Sequence, residues 1–179
     1  MKDQLVTLYR IQNTLLNNTY QVSQSPEALA KMKGKIKMRL WHKDLISVLP
    51  DKQLLGQWRE CCCIARNIAV NGSPNHLLVN KIMNYSKWHF MKYTIEVCKE
   101  LEKRGYKIKR YTFFKWFDKW FDGIVKTHDI DHNELFADWH NKRYLKQCFY
   151  NLQEKYDCGG MTYSEYANIL NVVIEEGVI

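Results

Sequence analysis

Leu54, Leu55, Trp58, Cys61, Cys62 and Ala65 recur at i, i+1, i+4, i+7, i+8 and i+11. That spacing draws one apolar stripe along a helix over 51–67, with Asp51 as its expected cap. NGSPN at 71–75 reads as a turn. A second helix is predicted over 86–104, with Trp88, Met91, Ile95, Cys98 and Leu101 on its buried face. Gly105 follows Lys103-Arg104 and is the expected left-handed stop. YTFFKWFDKWFDGI at 111–124 reads as an aromatic helix or helical hairpin. Asp131 with Glu134 resembles a capping box that opens a helix running through Trp139 to Tyr150, which Gly159-Gly160 breaks. Thr162 with Glu165 forms a second box, opening the last helix. Residues 1–30 carry a weaker helical pattern, with Ser25-Pro26 able to start a short helix, and KMKGKIK at 31–37 reads as a basic linker. No segment alternates with period two, so the fold is predicted to be all-α. The expected form is a compact single-domain helical bundle with long loops over 38–179. Residues 1–37 are expected to be an N-terminal extension or a misread start.

Composition narrows the class. Apolar residues make up 46% of the 179 and aromatics 13%, enough to build a core without disulfides or metal. No apolar run is long enough to span a membrane. Three of the six cysteines are adjacent, Cys61, Cys62 and Cys63, and neighbours on one helix point in different directions. They read as reduced side chains in a cytosolic protein. The net charge of +8 is unevenly spread: +4 over 1–37, +8 over 38–110 and −4 over 111–179. A basic central segment suits a phosphate backbone, and equally a basic enzyme with no polyanion partner.

On a helical wheel the stripe of the first helix turns Glu60 almost directly outward, with Gln53 and Gln57 on the same polar edge and Arg59 and Arg66 on another. An outward glutamate is ordinarily a solvated helix residue. Under a ligand it becomes a carboxylate beside guanidinium groups that hold phosphate, an arrangement suited to chemistry at a sugar next to a phosphodiester.

RLWH, LPDKQLLGQWREC, NG and NYSKWHFMKYTIEVCKELEKRGYKI, over roughly residues 38–110, resemble the pyrimidine-dimer DNA glycosylase family of endonuclease V type. They also resemble a cellular branch whose members begin with MRLWH, a likeness that continues through WHNKRYLKQCFYNLQEKYDCGGM at 139–161. The resemblance implies a metal-free, all-α repair enzyme that flips a base, cuts the glycosidic bond at an ultraviolet photodimer and then cuts the strand. Its nucleophile is the chain's own α-amine, which forms an imine at C1′ of the sugar. An α-amine has a pKa near 8 and is partly unprotonated at neutral pH, unlike lysine near 10.4. The glutamate that assists aligns with Glu60, its neighbour with Arg59, and the family's start with Met38. Arg39 stands where the phage enzymes carry a nucleophilic Thr, and Leu40, Gln53 and Cys63 replace an Arg, a His and an Arg of those enzymes. The expected catalytic set is therefore Glu60, Met38 and Arg39, with Arg59, Arg66, His42 and Lys43 as DNA contacts. Damaged double-stranded DNA is the expected partner of a cytoplasmic monomer that joins the nucleoid when bound, and no cofactor is expected.

Other signals receive plainer readings. HDIDH, His128 to His132, has a metal-like spacing, but Asp131 reads as a cap and only His140 is near as a third ligand, so no metal is expected. The aromatics of 111–124 read as core more readily than as a base-stacking platform, with Lys115 and Lys119 one turn apart able to touch phosphate. The alternatives to a repair enzyme are a non-catalytic DNA-binding module of the same fold, or a cytosolic protein binding a small molecule or protein through the same helix face.

Overall fold

The computed structural model describes residues 38–121 and 130–179. The Ser25-Pro26 helix start, the 31–37 linker, residues 122–124 of the aromatic segment, and His128 and Asp129 lie outside the described residues. The described residues contain no strand. They form five α-helices: α1 Asp51–Asn71, α2 Lys87–Lys103, α3 Tyr111–Trp120, α4 Lys142–Asp157 and α5 Tyr163–Glu175, with 3-10 turns at Lys43–Leu45 and Asn80–Asn84. Helices α2 and α3 pack against α1, α4 packs against α5, and α5 touches the first 3-10 turn.

The 21-residue α1 organises the unit. Its N-cap is Pro50, which offers no side-chain bond, and not Asp51. The Asp51 carboxylate instead accepts from Arg104 Nη1 at 2.9 Å and from the Tyr106 hydroxyl at 2.7 Å. Arg104 also donates to the Leu49 and Ser47 carbonyls, so the start of α1 is tied to the end of α2. Gly72, at φ +73°, ends α1 with its N–H on the Ile68 carbonyl, a left-handed stop that only glycine adopts at no steric cost.

Leu54, Cys61, Ile64, Ala65 and Ile68 of α1 are buried, and so is Gln57. The buried arc is rotated away from the predicted stripe, because a chain segment N-terminal to α1 covers one of its polar edges. In α2 the buried face is Phe90, Tyr93, Thr94, Val97, Cys98 and Leu101. Trp88, Met91 and Ile95 are half-buried at its border, a shift of about one position from the expected face. Gly105, at φ +86°, stops α2 as expected.

No helix opens at Asp131. Residues 131–140 are a turning loop, and α4 begins at Lys142, capped by the Asn141 side chain on the Tyr144 N–H. The Asp131 carboxylate closes a local turn on the Asn133 N–H, the competing bond by which Asp commonly defeats helix formation. Ile130, Leu135, Phe136 and Trp139 anchor this loop in the core. Phe136 sits at φ +52°, a strained conformation for an aromatic residue, fixed by Tyr85, Tyr93, Trp139 and His140 around its ring. The box at Thr162 and Glu165 is present with both of its bonds, a cap worth about 1 kcal/mol.

Candidate active site: a backbone strap over a carboxylate

Residues 39–42, with the Lys43 N–H that opens the first 3-10 turn, pass α1 as a strap without helix or strand whose main-chain groups are held by side chains from several elements. The Arg39 N–H donates to Glu60 Oε2 at 3.2 Å. Gln57 Nε2 donates to the Arg39 carbonyl at 3.1 Å, and Gln57 Oε1 accepts from the Trp41 N–H at 2.8 Å. One amide thus pairs with the strap as a neighbouring strand would. Tyr144 of α4 donates to the Leu40 carbonyl, and Tyr93 of α2 donates to the Trp41 carbonyl at 2.8 Å. The Lys43 N–H donates to His140 Nδ1 at 3.0 Å. Leu40 and Trp41 bury their side chains beneath. A segment with neither helix nor sheet to satisfy it is fixed here by five helix or loop side chains, which account for main-chain groups that burial would otherwise leave costly.

Glu60 is half-buried beneath this strap. Burial raises its pKa to about 7, against the Arg39 N–H and the charges of Arg39 and Lys155, which pull it down. A carboxyl group poised near neutrality gives up and takes back a proton at working pH, the property a general acid–base requires. The hydroxyl of Tyr144 and the Tyr93 ring are buried nearby, and burial holds both phenols above their ordinary range, so they stay neutral donors.

The expected site residues divide. Arg39 and Glu60 come together; Met38, the residue before Arg39, is half-buried against the core, and the Arg39 guanidinium stacks 4.8 Å from the centroid of the Trp41 ring. Arg59 and Arg66 are exposed on α1. His42 and Lys43 are buried, 2% and 7% exposed, and present no charge to solvent. His42 pairs with Asp44 at 3.3 Å and stacks on His140 at 5.1 Å. Lys43 Nζ donates to the carbonyls of His132 and Asn133, closing the 131–140 loop onto the strap. Both hold the interior together because that loop covers them, and the wheel of α1 carries no information about such a cover.

His132 ends up between Asp44 Oδ1, at 2.9 Å, and Glu96 Oε2, at 3.2 Å. Burial raises the Asp44 pKa, but hydrogen bonds from His42 and His132 outweigh it and bring the group to about 2. Among the described residues no group of three His, Cys, Asp or Glu side chains is placed to hold a metal ion, and no helix is long and apolar enough to cross a membrane. Cys61 is buried, Cys62 half-buried and Cys63 exposed; all are free thiols whose pKa burial pushes up.

Gln57, Tyr144, His140 and Lys155 belong to this arrangement and were not singled out for it by sequence. Gln57 had a polar-edge position as its only signal, and the other three lie more than eighty residues from the strap.

An all-helical unit that aims a half-buried, near-neutral carboxyl group at a main-chain N–H has the makings of an acid–base site. Residues 38–113, which contain the strap, α1, α2 and the first turn of α3, match the family model described as pyrimidine dimer DNA glycosylase. The resemblance carried by RLWH, QLLGQWREC and EKRGYKI is thus borne out over this stretch, and the family is one of DNA repair glycosylases acting on a DNA substrate. Searches of curated proteins and of solved structures each find no match.

Proposed function

We propose that this protein is a DNA glycosylase with associated strand cleavage, acting on pyrimidine dimers or a related lesion in duplex DNA. One observation carries the reading: the nitrogen of Arg39 lies 3.2 Å from Glu60 Oε2. By the resemblance Arg39 stands at the position of the phage enzymes' nucleophilic residue, and its contact with the aligned glutamate supports reading this end of the strap as the nucleophile's side. In a chain starting at Arg39 it is a primary amine; in a chain starting at Met38 the amine lies one residue further out.

The chemistry follows from that placement. The amine lone pair attacks C1′ of the flipped nucleotide, and the C1′–N bond to the base breaks, its electron pair leaving with the base. The attached nitrogen gives up its two protons, one to the departing base and one to the ring oxygen, as the sugar ring opens and the C1′–nitrogen imine forms. The imine acidifies the 2′ proton, which the Glu60 carboxylate removes, and the 3′ phosphate departs by elimination. Water then hydrolyses the imine, which frees the amine and leaves a five-carbon unsaturated aldehyde on the cut strand. A lesion that has already weakened stacking lowers the cost of flipping. Arg59 and Arg66 are the proposed phosphate clamps, being exposed on α1; His42 and Lys43 support the strap instead.

A second reading rests on the same atom. While residues 1–37 remain attached, the Arg39 nitrogen is a peptide nitrogen whose lone pair is delocalised, and the unit is then a DNA-binding module without catalysis. Borohydride trapping on a duplex containing a pyrimidine dimer or an abasic site separates the two. Chains starting at Met1, Met38 and Arg39 are compared. A reduced covalent adduct from a short form, lost in Glu60→Gln with DNA binding intact, is the expected result. Binding by all three forms without any adduct would leave the module reading standing.

A further inference from the structure

The exposed edge of α1 continues past Glu60 through Cys63 to Arg66, whose guanidinium carbon lies 5.8 Å from the centroid of the Trp116 indole on α3. Two lysines of α3 converge on the same ring: Lys119 Nζ at 4.8 Å and Lys115 Nζ at 5.2 Å. Lys115 also stands 5.8 Å from the Tyr111 ring. Helix α3 is thereby two-sided. Phe113 and Phe117 stack at 5.3 Å and are buried, whereas Trp116 and Lys115 are half-buried and Lys119 is exposed.

Three cations around one indole are held by its negative face, yet they repel one another. Lys115 and Lys119 are spaced i,i+4, the spacing at which like charges destabilise a helix, and Asp118 is the single carboxylate in α3. A polyanion relieves that repulsion; an apolar or cationic partner does not.

We propose that Arg66, Lys115, Lys119 and Trp116 form a second phosphate site, one that binds the phosphodiester backbone of duplex DNA away from the sugar at Glu60. The inference rests on the DNA reading above and extends it. Arg66 lies six residues beyond Glu60, roughly 9 Å along the helix axis at 1.5 Å per residue. Phosphates of one strand advance about 3.4 Å each along the duplex, so with the strand laid along α1 the patch meets the backbone about three nucleotides from the reacting sugar. Lys115, Trp116 and Lys119 lie beyond the residues matched by the family model, which end at 113, so the family match does not supply this site. Phosphate contacts carry no base information; the patch adds affinity equally on intact and damaged DNA and sets the register of the duplex.

The test is the salt dependence of binding by the full chain to an intact duplex and to one carrying a tetrahydrofuran abasic analogue, read by fluorescence anisotropy. In Lys115→Ala/Lys119→Ala the slope of log affinity against log salt should fall in magnitude by about 2, near 0.9 per lost contact. Both duplexes should lose affinity by the same factor. Arg66→Ala repeats the test from α1, with a fall of about 1. An unchanged slope in both variants, or a parent protein whose binding ignores salt, overturns the site. Trapping is scored in parallel on the short chains. A lowered slope without any adduct supports this site while the glycosylase reading fails, and an adduct with an unchanged slope does the reverse.

Discussion

Arg59 and Glu60 are consecutive residues of one helix with opposite surroundings. Arg59 is exposed, while Glu60 is half-buried, bonded to the Arg39 N–H and lifted to a pKa of about 7. Gln57, one turn earlier on the Glu60 side, is fully buried. Arg66, on the Arg59 side, is exposed. What separates the two edges is the strap at 39–43: where it crosses, polar side chains of α1 become interior groups with assigned partners, and where it does not, they stay charges for an external ligand. A polar residue on a helix thus takes its role from what covers it.

The largest expected effect comes from breaking the covered edge. Gln57→Leu removes a donor and an acceptor at once and leaves the Arg39 carbonyl and the Trp41 N–H without partners. Denaturant unfolding should show a loss of about 2–4 kcal/mol, and trapping by a short chain should slow at saturating DNA while salt-dependent affinity is kept. Tyr144→Phe strips the bond to the Leu40 carbonyl and the hydroxyl's bond with Cys148, and should cost about 1–2 kcal/mol.

Glu60→Gln sharpens the comparison through pH. The folded protein holds the Glu60 proton up to about pH 7, whereas an unfolded chain releases it near 4.3. Between those values the native state binds more protons, so the group's contribution to stability falls as pH rises. Glutamine cannot ionise and still accepts the Arg39 N–H. The variant should match the parent near pH 4 and exceed it at pH 8 by about 1–2 kcal/mol, after allowance for the open side of the carboxyl. Thermal unfolding at the two pH values reads this. If the variant gains nothing at pH 8, Glu60 carries no burial penalty and is no acid–base group poised near neutrality.

The smallest effect on stability is expected on the open edge. Arg59→Ala should change unfolding by less than about 0.5 kcal/mol and lower duplex affinity with a shallower salt slope, of about 1.

Much of the fold was legible from periodicity and punctuation. Helices α1, α2 and α5, the turn after Asn71, the stop at Gly105 and the box at Thr162 follow from local rules, while the end of α1 lies four residues past the expected 67. The 131–140 loop was misread because Asp131 and Glu134 have box spacing, while the deciding facts are remote: the ring cluster around Phe136 and the bonds from Lys43. The candidate site was half legible. Glu60 and Arg39 came from the family resemblance, but the burial of Gln57 depends on a strap that a helical wheel cannot represent. Tyr144 and His140 reach the strap from about a hundred residues away, where single-sequence patterning has no reach.

The central claim is that the nitrogen at the start of the strap, beside Glu60, forms the bond to the sugar. Peptide mapping by mass spectrometry of the borohydride-reduced adduct locates that bond directly. The account predicts the sugar remnant on the α-nitrogen of the first residue in chains starting at Met38 or Arg39, with more adduct from the Arg39 start. A remnant on a lysine side chain, Lys155 near Glu60 being the obvious one, would contradict it.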